Sequence, residues 1–169
     1  LYFCNKALME GLKPTQWSSL HIVPVPKSGD LRITSNYRGI SLTCIITKLY
    51  NKMLLNRIRP YIDKHLRNNQ NGFRAGRSTT SQILALRRII EGIKSNQLSA
   101  IITFVDFRKA FDSISRTTMF KILSAYGIPQ ELVTAIALIY DDMRAKVLTP
   151  DGETEWFNMY TGVMQGLSP

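Results

Sequence analysis

The sequence predicts a mixed α/β fold of the two-layer, α+β kind. A small antiparallel sheet is backed by helices and preceded by a mostly helical region carrying one β-hairpin. Three observations support this. Apolar residues recur near 3.6 spacing over 43–66, 78–96 and 115–143. Two short alternating stretches are broken by turn-forming residues, at Lys27–Asp30 and Pro150–Gly152. Between the helical stretches lies an apolar, β-branched run, Ile101–Val105, with the composition of a buried strand.

Taken in order, residues 1–12 have helical spacing (Phe3, Ala7, Leu8) and end at Gly11 and Pro14. Residues 20–25 read as a strand, closed by the turn at Lys27-Ser28-Gly29-Asp30, and 31–42 as a second extended piece. Residues 43–66 form a helix that Pro60 should kink or restart. Its other face carries Lys48, Lys52, Arg57, Arg59 and Lys64, a composition usual for a solvated face. Residues 68–78 are a loop by their Asn and Gly content, and Ser78 offers a hydroxyl N-cap for a helix reaching about residue 96. Arg74 and Arg77 just before that helix make a candidate phosphate cradle. Two further helices, 115–126 and 129–143, are separated by Gly127-Ile128-Pro129. A hairpin around Pro150-Asp151-Gly152 and a Gly-rich end containing Gln165 complete the chain.

The 169 residues suffice for one domain with a core of its own. Net charge is +10, unevenly spread: residues 1–99 hold 16 Lys/Arg and 4 Asp/Glu, while residues 100–169 hold 6 and 8. A basic first part and a mildly acidic remainder suit a nucleic-acid grip joined to a metal-binding region, and equally a general polyanion or membrane-surface binder. Cys4 and Cys44 form no C-x-x-C pair, which points to free thiols in a reducing, intracellular compartment and to no zinc site. No apolar run approaches the roughly 18 residues of a membrane span.

The stretch of sharpest chemical interest is AIITFVDFRKAFDSI, residues 100–114. An acid ending an apolar strand must be compensated by a cation, and hard Mg²⁺ takes carboxylate oxygens. Taken alone, Asp106 would be read as a turn-former or helix cap. The order of the surrounding blocks reverses that reading. VPKSGD with NYRGIS, then NQNGFRAGRST, FVDFRKAFDSI, the PDGE hairpin and GVMQG together resemble the reverse transcriptases of non-LTR retrotransposons across almost the whole chain.

The resemblance implies a fingers–palm fold, with residues 1–99 as fingers and 100–169 as part of the palm. It implies RNA-directed DNA polymerisation, with an RNA template, a DNA primer, dNTPs and two Mg²⁺ ions, and for the parent element a nuclear location. Lys27 and Arg38 match the cations that hold the incoming triphosphate. Gln70, Gly72, Phe73, Arg74 and Arg77 fall in the block that lies along the template. Asp106 matches the first catalytic, metal-binding aspartate, and Phe107 would lend its carbonyl to the same ion. Phe111 matches the aromatic under the sugar, whose bulk excludes a 2′-hydroxyl. Gln165 and Gly166 match the block meeting the nucleotide and template base. Asp112 reads as structural, capping the next helix.

The pattern also departs from the family. Gly39 stands where Pro is usual, and the segment after Gly166 is two residues short. The Y-x-D-D block that supplies the remaining aspartates is not seen, so the chain as given is expected to be inactive alone. Tyr140-Asp141-Asp142 is not that block: it lacks the spacer, precedes Gln165 and ends a helix-periodic stretch. Two alternatives remain. One is a non-catalytic nucleic-acid-binding retroelement remnant; the other is an RNA-templated RNA polymerase, against which Phe111 argues.

Overall fold

The computed structural model describes residues 2–165. Gly166, assigned above to the nucleotide-binding block, lies outside them. The described residues form α1 (Tyr2–Glu10), β1 (Ser19–Pro26), β2 (Tyr37–Leu42), α2 (Ile45–Asp63), α3 (Thr79–Ser95), α4 (Arg116–Ala125), α5 (Gln130–Tyr140), β3 (Arg144–Thr149), β4 (Gly152–Glu153) and β5 (Phe157–Asn158). The mixed α/β character follows the sequence reading. Two compact units are present, one made of residues up to Ile62 and from Lys109 onward, the other of Asp63–Arg108.

The first unit holds the sheet, in the order β2-β1-β3-β4, with β5 also on β3. β1 pairs antiparallel with β2, from His21 opposite Leu42 to Pro26 opposite Tyr37. It pairs parallel with β3, from Ser19 opposite Arg144 to Ile22 opposite Val147. The sheet is therefore mixed, not antiparallel throughout as the sequence suggested. The long, largely helical connection from β1 to β3 permits a parallel pair, which a tight hairpin cannot make. One face is sealed: Leu20 and Ala145 are 0 % exposed and pack with Trp17, Tyr50, Leu54, Ile139 and Met143. Alternation then puts Ser19, His21, Val23 and Val25 on the opposite face of β1.

The second piece of the hairpin begins at Tyr37, later than residue 31. Asp30 explains this by organising the intervening turn. Its carboxylate accepts from the Arg32 N–H (2.9 Å), and its carbonyl accepts from the Ile33 N–H (3.2 Å) and the Asn36 side chain (2.8 Å). α2 runs through Pro60 to Asp63. The proline sits in the last turn, where little of the hydrogen-bond ladder remains to be broken.

The second unit behaves differently. None of residues 63–108 is buried, and α3 contributes no buried side chain. Ser78 occupies the N-cap position of α3, but its hydroxyl makes no capping bond. The expected strand at Ile101–Val105 is absent. Ile101 is 96 % exposed and Val105 78 %, and no strand among the described residues pairs with the run. An apolar, β-branched composition only fits a pleated, half-buried surface, and without a ladder partner it leaves the chain irregular. No described helix is long and apolar enough to cross a membrane.

Candidate functional site

In the first unit, three separate blocks of sequence meet. The Lys27 N–H closes the β1–β2 connection on the Asn36 carbonyl (2.8 Å), and Arg38 sits opposite Val25. Both cations are exposed and stand at the same end of the hairpin. Three residues beyond Arg38, the Ser41 N–H donates to the Gln165 carbonyl at 3.0 Å. Two residues before Gln165, the Val163 N–H donates to the Phe111 carbonyl at 2.8 Å, and the Gly162 N–H donates to Ile114 at 2.9 Å. Phe111, Gln165 and the strand bearing Arg38 are thus tied through main-chain bonds.

Gly162 is what lets the blocks approach so closely. A Cβ there would lie 2.9 Å from the Asp112 Cα and carbonyl and 3.0 Å from the Phe111 carbonyl, and its φ is +79°. Only glycine meets both demands without displacing backbone. Asp112 plays its structural part through this main-chain contact. The cap of α4 falls instead to Ser115, whose hydroxyl accepts from the Thr118 N–H at 3.3 Å.

Arg116 was not singled out by the sequence, yet it organises this region. Its guanidinium donates to the carbonyls of Met159 (2.8 Å), Gly162 (2.8 Å), Thr161 (3.2 Å) and Tyr140 (3.3 Å), and lies 4.9 Å above the Tyr140 ring. Burial pulls its pKa below the ordinary guanidinium value, an effect that Tyr140 opposes. Burial likewise raises the Tyr140 phenol, against the pull of Arg116 and a Met164 backbone hydrogen bond. Tyr140 thus belongs to the end of α5 and to the packing, as its helical spacing indicated. The only sequence signal for Arg116 was its place at the first turn of a helix directly after the Phe111 block. A polar cavity of about 760 Å³ opens beside it, lined also by Lys13, Ser18, Asp141 and Arg144. Burial lowers the Lys13 ammonium, with Asp141 and Asp142 opposing, while it donates to the Leu138 and Asp141 carbonyls.

The second unit carries the remaining candidates. Arg74 is engaged within its own loop, 3.5 Å from the Asp63 carboxylate and donating to the carbonyls of Arg67 (3.1 Å) and Asp63 (3.3 Å). Gln70 donates from its side chain to the Gly72 carbonyl at 3.1 Å. Gly72 is half-buried, whereas Arg77 is exposed. Phe73 is 95 % exposed with a φ of +58°, a left-handed conformation that costs an aromatic residue roughly 1–3 kcal/mol. Asp106 and Phe107 are exposed, in the irregular stretch that replaces the expected strand. Among the described residues no three His, Cys, Asp or Glu side chains gather where they could hold a metal ion.

Comparison with known proteins gives the family of the chain. Residues 25–169 match the family model described as reverse transcriptase (RNA-dependent DNA polymerase). A Pol polyprotein of the type-1 retrotransposable element R2 from Popillia japonica is 27 % identical over 99 % of this chain and 24 % of its own length. The type-2 element R2DM polyprotein of Drosophila melanogaster is 26 % identical over 100 % of the chain and 16 % of its own length. A probable RNA-directed DNA polymerase from transposon BS of the same fly is 30 % identical over 65 % of the chain and 12 % of its own length. The chain thus spans about a quarter or less of these relatives.

Proposed function

We propose, from the premise that this chain belongs to the reverse transcriptase (RNA-dependent DNA polymerase) family, that it supplies nucleotide- and template-holding parts of an RNA-directed DNA polymerase of a non-LTR retroelement. The observation that carries this reading is the main-chain link of Phe111, Gln165 and the strand bearing Arg38. Three blocks far apart in sequence are joined there, and between them they offer groups suited to the phosphates, the sugar and the base of one nucleotide.

In this reading Lys27 and Arg38 meet the triphosphate, whose transfer relies on charge neutralisation and positioning. Phe111 lies under the sugar, and the segment held by Gly162 and Arg116 presents Gln165 to the nucleotide. Phe73 and Arg77, exposed aromatic and cation, meet the template, with Gln70, Gly72 and Arg74 shaping the loop that presents them.

Members of this family use divalent metal ions. Mg²⁺ is the ion proposed here, with Asp106 as one carboxylate ligand and the Phe107 carbonyl beside it. One carboxylate and one carbonyl suit a single Mg²⁺ that keeps waters and substrate phosphates in its shell, and bridging two ions draws on carboxylates beyond those gathered among the described residues.

Primer extension on an RNA template tests the proposal, using an active relative in which residues 25–165 of this chain replace the matching segment. The chimera is expected to incorporate dNTPs and to lose activity with Asp106→Asn. Phe111→Val is expected to raise ribonucleotide use relative to deoxynucleotide use by about tenfold, the equivalent of roughly 1.4 kcal/mol. A chimera that is folded but inert, or a sugar preference unmoved by Phe111→Val, overturns it.

A further inference from the structure

The sheet of the first unit has one sealed face and one open face. Because Leu20 and Ala145 point into the core, the ladder puts His21 and Lys146, Ser19 and Arg144, and Val25 and Arg38 side by side on the other face. Trp156, between β4 and β5, lies against this face. Its ring centre is 5.0 Å from the Arg144 guanidinium, 5.1 Å from the Lys146 ammonium and 5.7 Å from the His21 ring. The indole still keeps 40 % of its surface open, and Leu42 (44 %) and Val25 (38 %) continue the apolar strip across the sheet.

The charges around this strip favour one kind of occupant. Lys146 is paired with Glu153, so it adds no net charge. Arg144 donates to the Ser19 hydroxyl at 3.2 Å, and neither it nor Arg38 forms an ion pair among the described residues. A strip that alternates an open indole, aliphatic side chains and unpaired guanidinium groups matches a polyanion whose flat groups are free to stack. Single-stranded nucleic acid has that chemistry, while a duplex hides its base faces and a membrane surface offers none.

We propose that the open face of the β2-β1-β3 sheet is a landing surface for a single nucleic-acid strand, with Trp156 stacking on a base and Arg144 and Arg38 meeting phosphates. This contact is additional to the template block at residues 70–77, and it depends on the polymerase reading only for the identity of the strand.

The two tryptophans make the test direct. Trp17 is 2 % exposed, so a fluorescence change on binding reports Trp156. The probe is an oligouridylate of about ten nucleotides, within the usual site size of such surfaces. Saturable quenching is expected in step with the anisotropy of a labelled strand. Trp156→Leu should weaken binding roughly tenfold and Trp156→Phe far less, since stacking needs only an aromatic face. Arg144→Gln should lower the salt slope by about one phosphate contact, and Lys121→Ala on α4 should leave it unchanged.

Three results overturn the proposal: no binding by anisotropy, binding with an unchanged tryptophan signal, or equal quenching by a duplex or by tripolyphosphate. Binding without quenching sinks this surface while leaving the polymerase reading to the chimera. Quenching alongside an inert chimera does the reverse. The wild-type titration needs no variant to fold.

Discussion

Two apolar, β-branched segments of this chain have opposite fates. β1, reading SLHIVPVP, is paired on both edges, and its Leu20 is 0 % exposed. Ile101–Val105 has at least equal strand character, yet it is unpaired among the described residues and Phe104 is 80 % exposed. Composition sets the capacity to form a strand, and partners decide whether the capacity is used. β1 has β2 directly after it, through a turn built on Asp30, and the parallel β3 on its other edge. No described strand flanks the second run.

The largest expected effect falls on the paired segment. Leu20→Ala should destabilise the protein by roughly 2–5 kcal/mol, the usual cost of a cavity under a sealed sheet. Leu84→Ala on the exposed α3 should stay within about 0.5 kcal/mol. Urea unfolding of both variants checks this. Equal losses would mean that α3 is as deeply packed as β1 and would dissolve the contrast between the two units.

A smaller effect belongs to Tyr50, which packs against Trp17 at 4.9 Å and is 0 % exposed. Its hydroxyl is buried without a hydrogen-bond partner among the described residues. Burial, reinforced by Cys4 and opposed by Arg57, pushes its pKa up from 10.0 to about 12. The folded state therefore keeps the phenol proton where the unfolded chain releases it. The stabilisation is fully present below pH 10 and is lost as pH rises from about 10 to about 12, by roughly 2–3 kcal/mol. Tyr50→Phe should remove that component of the alkaline fall and cost little at neutral pH, because it deletes an unsatisfied hydroxyl. The measurement is the difference between wild-type and variant unfolding midpoints across that range. Parallel curves would place the hydroxyl in water.

These contrasts show what the sequence could disclose. Helices with an apolar stripe were legible, since α2, α4 and α5 rest on local periodicity and start near Thr43, Ser115 and Pro129 as read. The β1–β2 hairpin was legible because its turn chemistry is local. The parallel β1–β3 pair was not, because register between segments over a hundred residues apart leaves no local trace. Arg116 escaped notice for a similar reason. Its carbonyl partners span Tyr140 to Gly162, and a lone arginine at a helix start reads like any solvated cation. The family blocks named residues but not their surroundings: Arg74, read as part of the template block, is held by Asp63.

The smallest effect is expected at the unpaired run, and it tests the comparison most directly. Ile101→Thr keeps the β-branch and exchanges an ethyl arm for a hydroxyl that water can satisfy, at a residue 96 % open to solvent. Stability should change by less than about 0.5 kcal/mol. In β1, Ile22 packs against the core, so Ile22→Thr places a hydroxyl where it must find a partner and should cost roughly 1–3 kcal/mol. Hydrogen exchange gives an independent reading. Amides of residues 102–105 have no hydrogen-bond partner among the described residues and should exchange at nearly the free-chain rate, while those of the β1 ladder are protected up to the unfolding free energy. Protected amides at 102–105, together with a loss above 1 kcal/mol in Ile101→Thr, would show that the run has a strand partner in solution. Its composition would then have predicted its state, and the difference from β1 would vanish.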